Sequence, residues 1–484
     1  MQKTLAGISL APLWIVYSNE ISVIRKVIEL CKKVVGKGAK RSGSNTGKLQ
    51  IIPRDQHNIS RQNIGRNALK VLYRLNDAGY DAYLVGGGVR DLLLGLNPKD
   101  FDIATNATPE QIKKLFNNCR LIGRRFRLAH IVFGREIIEV ATFRGHHEPA
   151  KQQDAVSHQN EHGQLLRDNV YGSIDEDAER RDFSINALYY SVADYSIRDY
   201  WGGVQAIANR EISLIGDPEI RYREDPVRML RAVRFAVKLD MQIAQKTADP
   251  INELASLLKN IPPARIFEEC LKLFLGGKGQ ATFDALLKYE LFQQIFWPLK
   301  NTMKDKLGHP YQMFSLALAN TDDRISAGKR VTPAFLFATL YWHLIDARKH
   351  ELQNEGGLST YDAYQVALGD ILDTAAKSVM IPKRFASMIR DIWQLQPRLE
   401  QRHGNKPFKL IEHPKFRAAY DFLLLRAEVE KGHLVELAQW WTEFQTLDDA
   451  QKRSSVRNNN TSDDKKPRRR RRRVPRKRKP ASSE

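Results

Sequence analysis

The sequence predicts an α+β protein in which a small mixed sheet with helices precedes a series of helical domains. Strand-like and helical segments alternate up to about residue 190, and two strand-like runs within 127–143 flank Gly134 and Arg135 as the strands of a hairpin do. From Asp225 onward nearly every segment has helical periodicity, and the apolar stretch 333–345 is long enough for a buried helix. Because the mixed and helical parts are segregated along the chain, we expect separate domains.

The composition of the flanking segments sets the outer boundaries of the fold. Residues 36–47 are rich in Lys, Gly and Ser, and beyond Asp448 the chain loses nearly all of its apolar residues. We therefore expect five segments: an N-terminal extension with a linker (1–50), a mixed α/β head (51–200), a helical neck (201–270), a helical body (271–448) and a disordered Arg- and Lys-rich tail (449–484).

The charge of the chain favours a nucleic acid as partner. The 484 residues carry a formal net charge of +21, and twelve Lys and Arg lie within 465–479, which leaves 21 − 12 = +9 on the rest. Neutralising phosphates releases condensed counterions and so favours binding. We expect no membrane partner, because no apolar anchor lies beside the basic run. The apolar stretch 5–17 is too short to span a bilayer, and a weak targeting or membrane-contact role is its alternative interpretation.

Cysteine usage indicates a reducing compartment. Cys31, Cys119 and Cys270 have no CxxC spacing, so the sequence suggests neither a disulfide framework nor a structural zinc site. We expect a cytoplasmic protein that acts as a monomer.

Two aspartates separated by one residue are the first candidates for chemistry. Asp100 and Asp102 follow a short strand-like run, 82–85, and a glycine turn, and residues two apart in a strand point to the same face. Clustered carboxylates repel each other unless cations neutralise them, and oxygen ligands are those that Mg²⁺ requires. We therefore expect Asp100 and Asp102 to bind a pair of Mg²⁺ ions, which can activate an attacking hydroxyl and stabilise the leaving oxygen of a displacement at phosphorus.

The glycine run Gly86-Gly87-Gly88 supplies the other half of this predicted site. Residues without Cβ let the backbone approach a triphosphate, and a helix that begins near Val89 would offer free N–H groups to it. Arg90 adds a positive charge. The pattern is neither a P-loop nor a dinucleotide fingerprint. A glycine triplet alone is usually a turn, and Asp-x-Asp alone is usually a surface feature or a cap, but their combination in this order indicates catalysis.

A second block, 176–187, contains Arg181 and Asp182. Asp182 can simply cap the helix that is expected to follow it, which is the structural alternative. A cap does not explain the neighbouring Arg180-Arg181 pair. We expect Arg181 to balance the charge of a triphosphate, and Asp182 to serve as a further carboxylate near the metals or to position a reacting group.

A third block starts a helix at Asp225-Pro226. Arginines then recur every three residues, at Arg228, Arg231 and Arg234, and form a cationic stripe beside an apolar one. A solvated arginine face is the common alternative for such a pattern. Here Asp225 and Arg228 also offer an acceptor and a donor suited to the edge of a nucleobase, with Arg231 and Arg234 near phosphate.

Together these blocks resemble the class II branch of the polymerase-β-like nucleotidyltransferases, which contains bacterial poly(A) polymerases and CCA-adding tRNA nucleotidyltransferases. The resemblance runs from about Ile52 to Leu447, and the stretch 121–130 and the arginine-rich tail are similar to the poly(A) polymerase group. It implies a polymerase-β-like nucleotidyltransferase head followed by an all-helical neck, which binds nucleotide and RNA, and a helical body.

The resemblance also implies a role for each matching position. Asp100 and Asp102 match the metal-binding aspartates, and Asp182 matches a third acidic active-site residue. Glu139 on the second strand of the hairpin competes with Asp182 for that role; we expect Asp182 and keep Glu139 as the alternative. The positions that match nucleotide contacts are Gly87, Gly88, Arg90, Arg181, Asp225, Arg228, Arg231 and Arg234.

The implied activity is the template-independent transfer of AMP from ATP to RNA 3′-hydroxyl ends, with two Mg²⁺ ions and release of pyrophosphate. By the same resemblance, the tails promote decay of mRNA and other RNAs, which implies RNA-degradation machinery as a partner. Two alternatives remain open: a CCA-adding tRNA nucleotidyltransferase, which would incorporate CTP and stop after three additions, and a catalytically inactive RNA-binding protein on the same fold.

Overall fold

The computed structural model describes residues 48–123, 127–145 and 170–463, with side chains described up to residue 457. The N-terminal extension up to residue 47, the arginine-rich segment from residue 464 and part of the stretch 121–130 therefore lie outside the described residues.

The described chain divides into two compact units. The first comprises 48–262 and 281–295, and the second comprises 263–280 and 296–463. The first unit thus contains the expected head together with most of the expected neck.

The first unit is built on a mixed sheet. Its strands are β1 (Gln50–Ile52), β2 (Ala82–Val85), β3 (Asp102–Thr105), β4 (Cys119–Ile122), β5 (Leu128–Phe133), β6 (Glu136–Thr142), β7 (Leu188–Ser191) and β8 (Ile197–Asp199). Over the described residues the sheet has eight strands in the order β1-β8-β7-β2-β3-β6-β5-β4. The β3–β6 pair is parallel and the other pairs are antiparallel. The predicted strand at 82–85 and the predicted hairpin, now β5 and β6, are confirmed.

Helices surround this sheet and continue beyond it. They are α1 (Arg66–Asp77), α2 (Gly87–Leu93), α3 (Pro109–Leu115), α4 (Ile174–Arg180), α5 (Gly203–Asn209), α6 (Pro218–Glu224), α7 (Val227–Leu239), α8 (Gln245–Ala248) and α9 (Ile251–Leu254). Local sequence explains several of their starts: Thr108 with Gln111 and Ser173 with Glu176 form capping boxes before α3 and α4.

The two faces of the sheet are covered differently. Helix α4 lies against one face, where Ala178 packs with Tyr83, Val85 and Tyr189 in a buried cluster. We call this side, which also carries Asp102, the α4 face. Successive residues of a strand point to opposite faces, so Leu84 and Ile103 are buried on the other side. Helix α1 contacts β2, β3 and β6.

The segment predicted as an all-helical neck contains two short strands, β9 (Glu211–Ile212) and β10 (Gln242–Ile243), which pair in parallel. That part of the prediction is wrong for a local reason. Arg210 and Asp240 end α5 and α7 in the left-handed region, with φ of 55° and 53°, and turn the chain into these strands. The Arg210 guanidinium donates to the carbonyl oxygens of Leu239 and Asp240 at 2.9 and 2.6 Å and holds the two turns together. Two-residue strands are too short to produce periodicity.

Between residues 263 and 295 the chain passes from one unit to the other, and this stretch contains three helices. Helix α10 (Pro263–Phe274) belongs to the second unit, α11 (Gly279–Lys288) passes from the second to the first, and α12 (Phe292–Ile295) belongs to the first.

The rest of the second unit is helical, as expected for the body. Its helices are α13 (His309–Ser326), α14 (Pro333–Asn354), α15 (Thr360–Ser378), α16 (Lys383–Leu399), α17 (Lys406–Ile411), α18 (Phe416–Glu430), α19 (His433–Thr446) and α20 (Asp449–Asp463). Buried aromatic residues anchor them: the indole N–H groups of Trp393 and Trp441 donate to carbonyl oxygens of Ala338 and Leu399 at 3.0 and 2.9 Å. Within the described chain, no helix combines the length and the apolar character that a bilayer crossing needs.

Helix α20 corrects the expected start of the disordered tail at residue 449. Asp448 and Gln451 form reciprocal side-chain-to-backbone hydrogen bonds of 2.8 and 3.2 Å, which cap the first turn. Val456 is only 5% exposed and packs into the same apolar cluster as Trp441 and Phe444. One apolar residue and one cap are therefore enough to add a helix to a segment that is otherwise polar.

Replacing Val456 with Asp should detach α20, because the new carboxylate would be buried without a partner. We expect the amides of 449–457 to lose protection in hydrogen exchange while those of α19 keep theirs. Ser454→Asp places the same charge at an exposed position of the same helix and is the matched control. Unchanged protection in the Val456→Asp variant would contradict the packing of α20 described here.

Candidate active site

A glycine turn ends β2 beside Asp102. In the antiparallel pair β2–β3, Val85 lies opposite Asp102, so Gly86 follows immediately beside that aspartate. Gly86 has φ of +68°, which residues with a Cβ rarely adopt. Helix α2 begins at Gly87, and its first-turn N–H groups have no partner within the helix. The predicted order of strand, glycine turn and helix is confirmed.

Asp100 does not lie on the strand, contrary to expectation. β3 begins at Asp102, and Asp100 belongs to the preceding loop. A Cβ on Gly88 would lie 3.5 Å from the Asp100 carbonyl oxygen and 3.7 Å from the Phe101 ring, so α2 packs closely on this loop. The same ring would lie 3.0 Å from a Cβ on Gly65. Packing of Phe101 between two glycines, rather than strand geometry, positions Asp100.

The carboxylate of Asp102 lies in an excess of negative charge. Desolvation by the surrounding protein atoms raises the pKa of Asp102 most, and the charge of Glu139 raises it further. Arg181 acts in the opposite direction, and Asp100 adds a smaller increase. Glu139 is the lateral neighbour of Asp102 in the parallel pair β3–β6. Among the described residues, no group of three or more His, Cys, Asp or Glu side chains is already arranged to hold a metal ion.

Arg181 is fixed between the glycine turn and the sheet. Its Nε donates to the Tyr189 hydroxyl at 2.8 Å, and its Nη2 donates to Asp177 Oδ2 at 3.1 Å. Its Nη1 lies 3.3 Å from where a Cβ of Gly86 would be. Burial alone would lower the pKa of Arg181, but Tyr189 and Asp177 raise it above the usual value, so the group stays charged.

Asp182 pairs with Arg231 of α7. Arg231 Nε donates to Asp182 Oδ2 at 2.6 Å, and Asn186 Nδ2 and the backbone N–H of Phe183 donate to Oδ1 at 3.2 and 2.8 Å. Burial opposes ionisation, but the charge of Arg231 and these hydrogen bonds hold the pKa of Asp182 below its usual value. Asp182 is therefore both a turn cap and an ion-pair partner, whereas Glu139 is the side chain beside Asp102.

Arg90 lies under the glycine turn as a buried structural arginine. Its side chain is 4% exposed; Nε donates to Asp91 Oδ1 at 2.8 Å and Nη1 donates to Asn186 Oδ1 at 2.7 Å. Because Asn186 also donates to Asp182, a continuous hydrogen-bond chain runs from α2 to α7. The ring of Phe235 lies 5.3 Å from the guanidinium carbon of Arg90 and 5.3 Å from that of Arg231.

Asp225 and Arg228 lie where α6 ends and α7 begins. Pro226 precedes the first residue of α7, which confirms the predicted helix start. The Asp225 carboxylate accepts from the backbone N–H of Val227 at 3.3 Å. Arg228 Nη1 donates to Glu224 Oε2 at 2.9 Å and to the Arg221 carbonyl oxygen at 2.7 Å. The arginine stripe is thus partnered within the protein rather than a freely solvated face.

Three residues of the site, Arg221, Asn186 and Tyr189, were not predicted from sequence. Arg221 Nη2 donates to the carbonyl oxygens of Arg181 and Arg180 at 2.7 and 3.0 Å, at the end of α4. Asn186 lies inside the block 176–187 and Arg221 lies shortly before Asp225, but their partners are 96 and 40 positions away. Patterns among neighbouring residues do not reveal contacts between residues so far apart in the chain.

Three family models and several known proteins match this chain. A model for the poly A polymerase head domain matches residues 82–213, one for the probable RNA and SrmB-binding site of polymerase A matches 240–302, and one for the polymerase A arginine-rich C-terminus matches 356–478. Poly(A) polymerase I of Salmonella typhimurium is 55% identical over 424 residues, which is 87% of this chain and 91% of that protein. Poly(A) polymerase I of Haemophilus influenzae is 49% identical over 409 residues, 84% of this chain and 90% of that protein.

The chain belongs to the bacterial poly(A) polymerase family. This membership confirms the predicted class, a polynucleotide adenylyltransferase with a nucleotidyltransferase head. It also decides between the two groups of the predicted superfamily branch, because CCA-adding enzymes are more distant.

The CCA-adding enzyme of Lactobacillus helveticus is 38% identical over 231 residues, 47% of this chain and 54% of that protein. The crystal structure of the Bacillus stearothermophilus CCA-adding enzyme in complex with CTP is similar in fold, with a TM-score of 0.52 and 26% identity over 78% of this chain and 80% of that one.

Replacing Arg231 with Met should destabilise this family member by about 1–3 kcal/mol at pH 7, because the buried carboxylate of Asp182 loses its partner, a cost reduced by the partial exposure of Arg231. The folded-state pKa of Asp182 is lowered, so the stabilisation is present at neutral pH and is lost as the pH falls through that pKa.

Urea unfolding at several pH values measures this effect. The difference in the free energy of unfolding between the wild type and the Arg231→Met variant should shrink as the pH falls below the usual aspartate value. Arg223→Met removes an exposed pair with Glu219 and should change stability by less than about 0.5 kcal/mol. A difference that does not vary with pH would contradict the assigned ion pair.

Proposed function

We propose that the chain transfers AMP from ATP to the 3′-hydroxyl of RNA without a template and releases pyrophosphate. The observation that carries this proposal is the position of Asp102, beside the glycine turn on one side and beside Glu139 on the other, in a member of the poly(A) polymerase family. We propose that it acts as a monomer in the cytoplasm, with RNA-degradation machinery as a partner.

The acidic side chains fit divalent cations. Carboxylate oxygens are the ligands that Mg²⁺ prefers. Burial and the charge of Glu139 both raise the pKa of Asp102, and a bound cation would relieve the repulsion between the two carboxylates. We propose that Asp100 and Asp102 hold two Mg²⁺ ions. Glu139 is the better candidate for the additional ligand, because Asp182 is already paired with Arg231. Bound there, the ions would supply activation of the attacking hydroxyl and stabilisation of the leaving oxygen.

The glycine turn and Arg181 fit the triphosphate of ATP. The first-turn N–H groups at Gly87 and Gly88 can donate to phosphate oxygens, and Arg181 Nη1 lies beside Gly86 with its charge held in place by Asp177 and Tyr189. Arg90 contributes indirectly, because its guanidinium donates to Asp91 and Asn186 and supports the turn from below.

Asp225 and Arg228 fit the edge of the adenine base. A carboxylate can accept from the exocyclic amino group, and a guanidinium can donate to a ring nitrogen. The Arg228 guanidinium donates to Glu224 at 2.9 Å, which holds it in place. Arg231 and Arg234 lie on the same helix, and we propose that they contact the phosphates of ATP. Cytosine offers the same amino and ring-nitrogen pair, so hydrogen bonding here rejects guanine and uracil, and rejection of CTP must come from the shape of the site.

RNA is held elsewhere along the chain as well. The family model for an RNA-binding site covers 240–302. We propose that the twelve basic residues within 465–479 act as a non-specific clamp on RNA phosphates.

Replacing Asp100 or Asp102 with Asn should lower AMP incorporation by about 10³-fold or more, because several kcal/mol of transition-state stabilisation are lost. A primer extension assay with oligo(A) and ATP measures this. The Asp102→Asn protein should melt at the same or a higher temperature than the wild type, since the charged form of Asp102 is disfavoured in the fold. Asp373→Asn, exposed on α15, should keep full activity. Full activity in the Asp102→Asn variant would refute the assignment.

Supplying each nucleotide separately to the same primer distinguishes the alternative functions. We expect extended products with ATP only. Three additions with CTP and ATP on tRNA would instead indicate a CCA-adding enzyme, and absence of Mg²⁺-dependent pyrophosphate release with every nucleotide would indicate an inactive RNA-binding protein. Arg228→Met should raise KM for ATP about tenfold or more and relax rejection of GTP and UTP, because a charged hydrogen bond is lost. Arg223→Met is the control on the preceding helix.

A further inference from the structure

A row of four side chains crosses the α4 face from the candidate active site to β4, the outermost strand of the sheet over the described residues. Paired residues of neighbouring strands lie side by side and point to the same face. Asp102 of β3 pairs with Glu139 of β6, Glu139 pairs with His130 of β5, and His130 pairs with Arg120 of β4. We call these four residues the cross-strand row.

The cross-strand row changes its charge along its length. Its inner half consists of the carboxylates of Asp102 and Glu139, and its outer half consists of an imidazole and a guanidinium. His130 Nε2 lies 3.3 Å from Glu139 Oε1, so the two halves are in contact. Arg120 is exposed and lies on β4, the last strand of the sheet.

Apolar side chains flank the outer half on both sides. Ile122 pairs with Leu128 on one side of it, and Val132 pairs with Ile137 on the other. Ile122 is 47% exposed and Ile137 is 49% exposed. A strip with the guanidinium of Arg120 in the middle and exposed apolar groups beside it suits a ligand that carries both phosphates and planar bases.

The dimensions of the row fit a short stretch of RNA. Strands lie about 4.8 Å apart, so Arg120 is three spacings, or about 14 Å, from Asp102 along the row. Stacked nucleotides rise by about 3.4 Å each, so this length corresponds to about four nucleotides.

The sheet order separates this row from the ATP side of the site. The glycine turn follows β2, which lies on one side of β3, whereas β6, β5 and β4 lie on the other. An in-line displacement at phosphorus requires the attacking and leaving oxygens on opposite sides. With the triphosphate at the glycine turn, the attacking RNA therefore approaches Asp102 from the β6 side.

We propose that the 3′-terminal nucleotides of the RNA substrate lie along the cross-strand row, with the 3′-hydroxyl at Asp102 and a backbone phosphate at Arg120. The inference rests on the proposed function, since it requires an RNA hydroxyl to react at Asp102. The charge order sets the direction of the strand: the uncharged hydroxyl end meets the carboxylates, and a phosphate meets the guanidinium of Arg120.

Arg120→Gln tests this proposal with a tetranucleotide oligo(A), which is long enough to fill the row and too short to occupy distant RNA sites. We expect weaker primer binding and a higher KM for the primer, with KM for ATP unchanged. The slope of log affinity against log salt should decrease by about 0.7, the value for one phosphate contact on a single strand. Arg120→Lys should restore most of the slope, because it keeps the charge.

Arg135→Gln is the matched control. Arg135 lies at the tip of the β5–β6 hairpin, outside the row, and the change removes one positive charge, as Arg120→Gln does. It should leave the salt slope at the wild-type value. Equal slopes for Arg120→Gln and the wild type, or equal losses in Arg120→Gln and Arg135→Gln, would overturn the proposal. AMP incorporation by the wild type at saturating primer is measured in the same series; its absence would refute the proposed function, whereas its presence with unchanged Arg120→Gln binding would refute the RNA path alone.

Discussion

The clustering of the carboxylates of Asp100, Asp102 and Glu139 is the feature on which the candidate active site depends. The parallel pairing of β3 and β6 places Asp102 and Glu139 side by side, and packing of the preceding loop on α2 brings the charge of Asp100 into the same field. Burial raises the pKa of Asp102 most, the charge of Glu139 raises it further, and Arg181 offsets only part of this increase. Such an arrangement is unfavourable for the protein alone and favourable for binding cations.

The surroundings hold this unfavourable arrangement in place. Arg90, Asn186 and Asp182 link α2 to Arg231 of α7 through consecutive hydrogen bonds. Arg221 donates to the last carbonyl oxygens of α4 and so anchors the backbone of Arg181. Because most of these polar groups already have partners, the glycine turn, the carboxylates, Asp225 and Arg228 form a frame that exists before substrate binds. In the proposed function, such a frame reduces the reorganisation required during catalysis.

The elements with a clear period were predictable from sequence, and those set by distant contacts were not. The strand before the glycines, the hairpin and the long helix α14 follow from periods of two and 3.6 residues. The Asp-x-Asp pattern predicted clustered charge correctly but placed Asp100 on a strand, because the packing of Phe101 against Gly65 and Gly88 is a tertiary contact. The burial of Arg90 depends on Asn186, 96 positions away, and the helix at 449–463 depends on one cap and on Val456.

Titration of the protein with Mn²⁺, followed by the electron paramagnetic resonance signal of the free ion, tests the central claim most directly, because it asks whether the carboxylates hold cations without requiring turnover. With a non-hydrolysable ATP analogue present, we predict that the Asp102→Asn and Glu139→Gln variants bind Mn²⁺ much more weakly than the wild type, and that Asp182→Asn binds it nearly as well. Wild-type affinity in the Asp102→Asn variant would contradict the account.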